Sequence, residues 1–291
     1  MKKIYAEILA GMIPRKMARN RWRGLLRFGI FRLLKLKKEL RHNHSEPNIY
    51  LAVCTIARNE GPYLKEWIDW HLSKGVEKFY FYDNESTDNT REILEPYIKS
   101  GVVDYKFWKG NKQQLAVYDD CIEKHRYEAR WIAFIDLDEF IVPLNHKDIK
   151  EFLKDKEKFS SIEINWLLYG SGGQKEYSPL PVMDRFKHHS QPSMYLNRHV
   201  KSIVNPRKVA AMIGAHEAAR ITGRSGDSHG NIIKKGFRDR EPQHDVIKIN
   251  HYAVKSWEEF MNKHNKGSVR TAKLRGLDYF NSHDLNDIKE E

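Results

Sequence analysis

The chain is poor in cysteine: its 291 residues include only Cys54 and Cys121. Two thiols cannot build a disulfide framework or a four-cysteine zinc site. Both fall in segments expected to be a strand and a helix, so they read as core thiols, and their scarcity suits a reducing compartment. Also missing is any uncharged run near the ~20 residues that a transmembrane helix needs. The short apolar stretch at the start is interrupted by Glu7, and basic residues continue past it, so it is not expected to be a secretory signal. No internal repeat and no low-complexity linker is present, which excludes solenoids and disordered chains. There is no paired His-x-Asp cluster of a metal-dependent phosphate hydrolase, and no nucleic-acid motif.

What is present is the material of one large α/β domain, 34.4 kDa with 40% hydrophobic and 31% charged residues. The net charge of +12 is unevenly placed: residues 1–41 hold thirteen Lys or Arg against two Glu, +11, leaving +1 for the remainder. Residues 1–46 therefore form a cationic arm. Between Trp22 and Leu40, apolar residues recur at Leu25, Leu26, Gly29, Leu33 and Leu36, with Arg23, Arg27, Lys35 and Lys38 between them. This pattern predicts a basic amphipathic helix suited to an anionic membrane interface, the cytoplasmic leaflet being the anionic one. The other reading is a helix packed on the protein's own core. Nucleic acid fits the arm less well, because its aromatic residues are few.

From residue 47 the pattern changes. Tyr50–Ala57 is a near-continuous apolar run, the mark of a strand buried on both faces. A turn at Arg58–Pro62 leads to a helix over 63–75 with Gly75 as its cap. Strands follow at 78–82, 102–107 and 131–135, alternating with helices that run toward Ile98 and over 112–128. Such alternation predicts a mainly parallel sheet flanked by helices. The last strand runs into Asp136-Leu137-Asp138-Glu139. A buried interior does not tolerate unpaired carboxylates, so Asp136 and Asp138 should emerge at the strand's end, where ligands collect in open α/β sheets. An Asp-x-Asp there suits Mn²⁺ or Mg²⁺, which in turn can hold a diphosphate.

The order strand, Ala57-Arg58-Asn59-Glu60, helix, strand, Asp83-Asn84-Glu85-Ser86-Thr87-Asp88, and finally strand and Asp-Leu-Asp-Glu-Phe resembles the nucleotide-sugar domain of GT-A glycosyltransferases. It is most similar to glycosyltransferase family 92 and related bacterial family-2-like transferases. The resemblance implies metal-dependent transfer of a sugar from a nucleoside diphosphate, UDP being the expected carrier, to a glycan or lipid-linked saccharide, with inversion. Residues 47–145 would form the nucleotide-sugar half, with Thr55, Arg58, Glu60, Asp83, Asn84, Gln114, Asp136 and Lys201 around the donor. Asp83 would bind uracil, although this chain has Asp-Asn-Glu-Ser where the family more usually has Asp-Asp-Gly-Ser. Asp136, Asp138 and His251 would hold the metal, with His216 the alternative histidine. Glu217 is the first choice of general base, with Asp184, Asp227, Glu241 and Asp245 as alternatives. Together with the arm, the resemblance implies a peripheral protein on the inner face of a bacterial membrane, in lipopolysaccharide or capsule assembly.

Residues 146–280 would form the acceptor half: a charged helix over 147–159, a strand over 161–169, then loops and short strands, and a basic helix over 257–279. Residues 281–291 should be frayed. Two further function classes remain open from sequence, a metal-dependent phosphate or phosphodiester hydrolase and a non-catalytic carbohydrate or membrane adaptor.

Overall fold

The computed structural model describes residues 16–43, 45–266 and 276–290. Its first half is four parallel strands in the order β3 (Val103–Phe107), β2 (Lys78–Asp83), β1 (Ile49–Ala57), β4 (Ala129–Phe134). Alternation along each strand builds two cores. Leu51, Val53, Phe79, Phe81, Trp131 and Ala133 face one side, under α3 (Gly61–Ser73) and α4 (Thr90–Lys99). Ala52, Cys54, Tyr80, Tyr82, Ile132 and Phe134 face the other, under α5 (Gln114–Lys124). That double burial is why these runs are apolar throughout rather than every second residue.

Past β4 the sheet is mixed. β8 (Val200–Val204) runs antiparallel between β4 and β6 (Ser161–Leu168), and β12 (Ile247–His251) lies parallel to β6 and antiparallel to β5 (Glu139–Pro143). β4 and β5 are thus four strands apart, roughly 19 Å in a flat sheet. Five peptide steps from Phe134 to Glu139 reach at most about 18 Å. The sheet must curl, and the acidic turn 135–138 closes the gap. β11 (Ser225–Gly226) pairs with the start of β6, and the hairpin β9 (Val209–Met212), β10 (Ala218–Arg220) stands apart from the sheet. Short helices α6 (Ile149–Leu153) and α7 (Val182–Arg185) lie in the second half, as do β7 (His188–His189), α8 (Trp257–Lys266), α9 (Leu277–His283) and β13 (Ile288–Lys289).

Four sequence expectations are corrected. The arm helix is not continuous: Gly29, at φ +101°, separates α1 (Lys16–Phe28) from α2 (Ile30–His42). It also packs on the protein. Leu25 is buried against Ala210 and Ala219, and a Cβ on Gly24 would come within 2.6 Å of that of Ala219. The arm's residues 1–15 lie outside the described residues. The helix expected over 147–159 is only the five-residue α6, because the chain turns after Leu153 to bury Phe159 and enter β6. The helix expected over 257–279 is described as α8 and α9. Residues 281–290 are built in rather than frayed: β13 pairs with β7, Asp284 accepts the Ser171 N–H at 2.6 Å, and Asn286 accepts that of Gly172 at 2.7 Å. A side chain on Gly170 would strike the Leu285 carbonyl at 2.5 Å, which explains the glycine.

His71 locks α3 to β5. Its Nδ1–H donates to the Trp67 carbonyl at 2.8 Å, and its Nε2 accepts the Ile141 N–H at 3.2 Å. The acceptor bond at Nε2 requires the neutral ring, and full burial pushes its pKa down to about 4 despite the bond to the Trp67 carbonyl. An unfolded His titrates near 6.5. Stability from His71 is therefore complete above pH 6.5 and lost as pH falls toward 4, on the order of 3 kcal/mol. Urea unfolding should show His71→Gln destabilised at pH 8 by about 1–3 kcal/mol, with a shallower stability slope between pH 7 and 5 than wild type. An unchanged slope would rule out the buried neutral imidazole.

Candidate active site

The acidic turn is pinned on all sides. The Asp136 N–H donates to Glu139 Oε2 at 2.9 Å, the Trp67 indole donates to the Glu139 carbonyl at 2.8 Å, and the Tyr252 N–H donates to the Asp138 carbonyl at 2.8 Å. The register Ile132↔Val204, Ala133↔Ile203, continued two residues, brings Lys201 beside the turn. Lys201 is buried and bonds Asp136 at 2.7 Å and Glu139 at 3.1 Å. Gln114, opening α5, donates to the other Asp136 oxygen at 3.0 Å.

Burial opposes charge on every member of this cluster, and the pairings decide who keeps it. Lys201 is held above the ordinary lysine pKa: burial works against its charge, but Asp136 and Glu139 outweigh it. Asp136 is likewise held below the usual carboxylate range, since Lys201 overcomes its burial. Glu139 receives less. Burial, with Asp136 and Asp138 alongside, pushes it up to about 8 despite Lys201. Its Oε1 is buried with no hydrogen-bond partner among the described residues.

Asp138 points the other way, to Lys263 of α8 at 2.8 Å and His251 Nε2 at 3.7 Å. One ligand atom each from Asp138, Glu139 and His251 lies within 4.8 Å of the others. Two carboxylates and an imidazole, with an unsatisfied Glu139 oxygen among them, form a donor set that suits Mn²⁺ or Mg²⁺. The sequence expectation named Asp136 as the third ligand. The structure instead gathers Glu139, while Asp136 is occupied by Lys201 and Gln114.

A cavity of about 860 Å³ opens over this cluster. Arg58 and Glu60 after β1, Gln114, Asp136, Asp138, Lys201, His216 and His251 line it, as expected, and so does Lys255. Sequence reasoning missed four of its features. Lys263 bridges Asp138 and Glu60 (3.3 Å) from a helix whose pattern showed only charge. A buried Arg185–Glu259 pair, bonded at 2.7 and 2.9 Å and joined by the Tyr63 hydroxyl at 2.8 Å, fixes α8 to α3. Glu139 directly follows the Asp-x-Asp, where the sequence alone assigns it no role. His199 stacks on Trp166 at 5.0 Å and approaches His216 at 5.3 Å, a wall formed by residues 50 apart in sequence.

Other expected residues do not line the cavity. Asp83 accepts the Ser86 N–H at 2.9 Å and the Tyr105 hydroxyl at 2.6 Å, organising the turn after β2. Asn84 donates to the Trp108 and Gly110 carbonyls, both at 2.9 Å, and Thr55 is buried within β1. Neither these three nor Glu217 is among the cavity's lining residues. Glu217 ends the β9–β10 turn, and its charge is felt by buried Glu163, the partner of Arg240. Glu163 neighbours Ile164, which pairs with Lys201, so the pleat turns it from the cavity face. Asp184, Asp227, Glu241 and Asp245 do not line the cavity either.

Lys201→Met should cost about 3–5 kcal/mol, because it leaves fully buried Glu139 and partly exposed Asp136 without their cation. Urea unfolding at pH 7 checks this, and adding Glu139→Gln should restore part of the loss. A change under about 1 kcal/mol would mean that the pair is solvent-screened.

With the geometry in hand, comparison with known proteins is informative. A sequence model of glycosyltransferase family 92 matches residues 48–287. A family 92 protein of Ricinus communis is 30% identical over 223 residues, covering 73% of this chain and 37% of its own length. One from Arabidopsis thaliana is 27% identical over 224 residues, covering 73% and 36%. The chain thus spans little more than a third of these relatives. Galactan β-1,4-galactosyltransferase GALS2 of Arabidopsis thaliana is 28% identical over 111 residues, 35% of this chain and 21% of its own. Among solved structures, S. aureus TarS 1–349 in complex with UDP aligns at TM-score 0.38 and 15% identity, covering 54% of this chain and 47% of that one. The match of the family model along most of the sequence, over the same mixed sheet and acidic turn, decides the matter: the chain belongs to glycosyltransferase family 92.

Proposed function

We propose that the protein transfers a hexosyl group from a nucleoside-diphosphate sugar, UDP being the first carrier to test, to a hydroxyl of a glycan or lipid-linked saccharide. The observation that carries this reading is the Asp138–Glu139–His251 cluster, whose Asp138 and His251 line a cavity that also gathers Arg58, Lys201, Lys255 and Lys263, with buried Glu139 behind them. An acidic cation site ringed by four basic side chains matches a metal-bridged diphosphate. Membership of family 92 supports glycosyl transfer, and the kinship with a galactan galactosyltransferase supports a saccharide acceptor.

Asp138, Glu139 and His251 would hold Mn²⁺ or Mg²⁺, which supplies Lewis-acid stabilisation of the departing diphosphate. The protein's own residues do the rest. Lys201 keeps Asp136 ionised and in place. Arg58, bonded to the Asn84 carbonyl at 2.6 Å, is held in the cavity lining just past the end of β1. On the opposite wall, His199 and His216 each donate Nδ1–H to a backbone carbonyl, Leu196 at 2.9 Å and Val200 at 2.6 Å. In the neutral ring that bond leaves Nε2 as the basic nitrogen. We assign removal of the acceptor proton to His216 in place of Glu217, which lies outside the cavity lining.

Calorimetric titration with Mn²⁺ and UDP should show tight binding only when both are present. Asp138→Asn and His251→Ala should each abolish the metal dependence, and donor turnover should drop by a factor of about 100 or more. His216→Gln should lower kcat by roughly 100-fold while UDP binding persists, and Glu217→Gln should be near wild type. Unchanged metal binding in both ligand variants would overturn the cation site. The reverse order of effects at 216 and 217 would restore the carboxylate base.

A further inference from the structure

The outward face of α2 is an exposed apolar surface that the transfer chemistry does not use. Leu33, Leu36 and Leu40 recur at i, i+3 and i+7 and face the protein; Leu36 is buried, and Leu33 packs with Leu25, Ala210 and Ala219. At 100° per residue the opposite face carries Phe31 and Leu34, followed by Lys35 and Lys38, with Ile30 and Arg41 at its edge. Phe31 is 88% exposed, Leu34 58% and Ile30 56%. Trp22 on α1 is also exposed.

This face is presented, not merely loose. The β9–β10 hairpin receives Leu25, and α5 binds both sides of the Gly29 break, through Arg27–Asp119 at 2.8 Å and Arg32–Glu123 at 2.6 Å. A helix with Phe, Ile and Leu at one end of its outward face and Lys and Arg at the other matches one partner chemistry best. Apolar side chains enter the acyl boundary of a bilayer while ammonium and guanidinium groups meet anionic headgroups. Residues 1–41 carry +11 of the chain's +12. A nucleic acid would satisfy the charge but has no use for exposed Ile30 and Leu34.

We propose that α2 docks the protein on an anionic lipid bilayer, with Ile30, Phe31 and Leu34 inserted and Lys35, Lys38 and Arg41 at the headgroups. The hairpin that seats α1 ends in the turn whose Ala215 and His216 line the cavity. Docking through the arm therefore holds the acceptor wall in fixed relation to the membrane, which favours a membrane-held acceptor. That last step rests on the transferase reading, whereas the docking itself does not.

The test is flotation of the full chain with vesicles of phosphatidylcholine mixed with phosphatidylglycerol, against phosphatidylcholine alone. The wild type should float with the anionic vesicles only. Phe31→Glu with Leu34→Glu should weaken binding about tenfold or more, as should Lys35→Glu with Lys38→Glu. Both double variants should keep wild-type thermal unfolding and donor turnover in solution, since neither face touches the cavity. Docking is overturned if the wild type fails to float, floats equally with neutral vesicles, or floats undiminished with the apolar pair replaced. Loss in the lysine variant alone would mark a general polyanion surface and would also overturn it. So would a wild-type dimer that the apolar variant dissociates without changing flotation.

Discussion

One buried ammonium organises the site. Lys201 stands where a parallel half-sheet ends and a mixed one begins, on a strand that runs against both neighbours. Without it Glu139 would be an unpaired carboxylate in a dry interior with Asp136 beside it on the cavity wall, and the turn that closes the curled sheet would be among the costliest places in the fold. With it, one acid stays ionised, the other is left the easier to protonate, and Asp138 is directed outward toward His251 and Lys263. The same contact serves folding and chemistry, because the residues that close the sheet are those that would face a ligand.

The first half of the fold was legible because its physics is local. Strands buried on both faces must be apolar at every position, and Tyr50–Ala57 and Trp131–Ile135 say so directly. The placement of Asp136 and Asp138 at a strand end followed from the cost of burying charge. The second half was hard to read because its elements exist only in context. β8 is five residues in a stretch read as loops and short strands, and it becomes a central strand by pairing with β4 and β6. Glu217 drew notice as an acid next to a histidine, yet the β9–β10 turn sends His216 to the cavity and Glu217 elsewhere. Asp83 was named through family likeness, and in this structure both its oxygens are taken up by Ser86 and Tyr105. Lys263 and Glu259 had no sequence signal beyond charge on a helix, since the partners that matter lie 74 residues or more away.

The two ends of the described chain are used alike. At the front, Leu25 and the α5 ion pairs seat the arm on the hairpin behind the His216 wall. At the back, β13 pairs with β7, Asp284 and Asn286 clasp the loop at residues 170–172, and Tyr279 and His283 of α9 line the cavity. Segments remote in sequence from the acidic turn thus set the walls around it.

Lys263 carries a consequence of its own. With its ammonium 2.8 Å from Asp138, that carboxylate already holds a cation, one tethered to α8. Any ion arriving at Asp138 enters a competition, and its apparent affinity is the difference between two cation contacts rather than the strength of one. Displacing the ammonium also frees α8 at that point, while the Arg185–Glu259 pair holds the same helix four residues earlier. Occupancy of the acid is thereby coupled to the posture of a helix, a small lever with its fulcrum at Glu259.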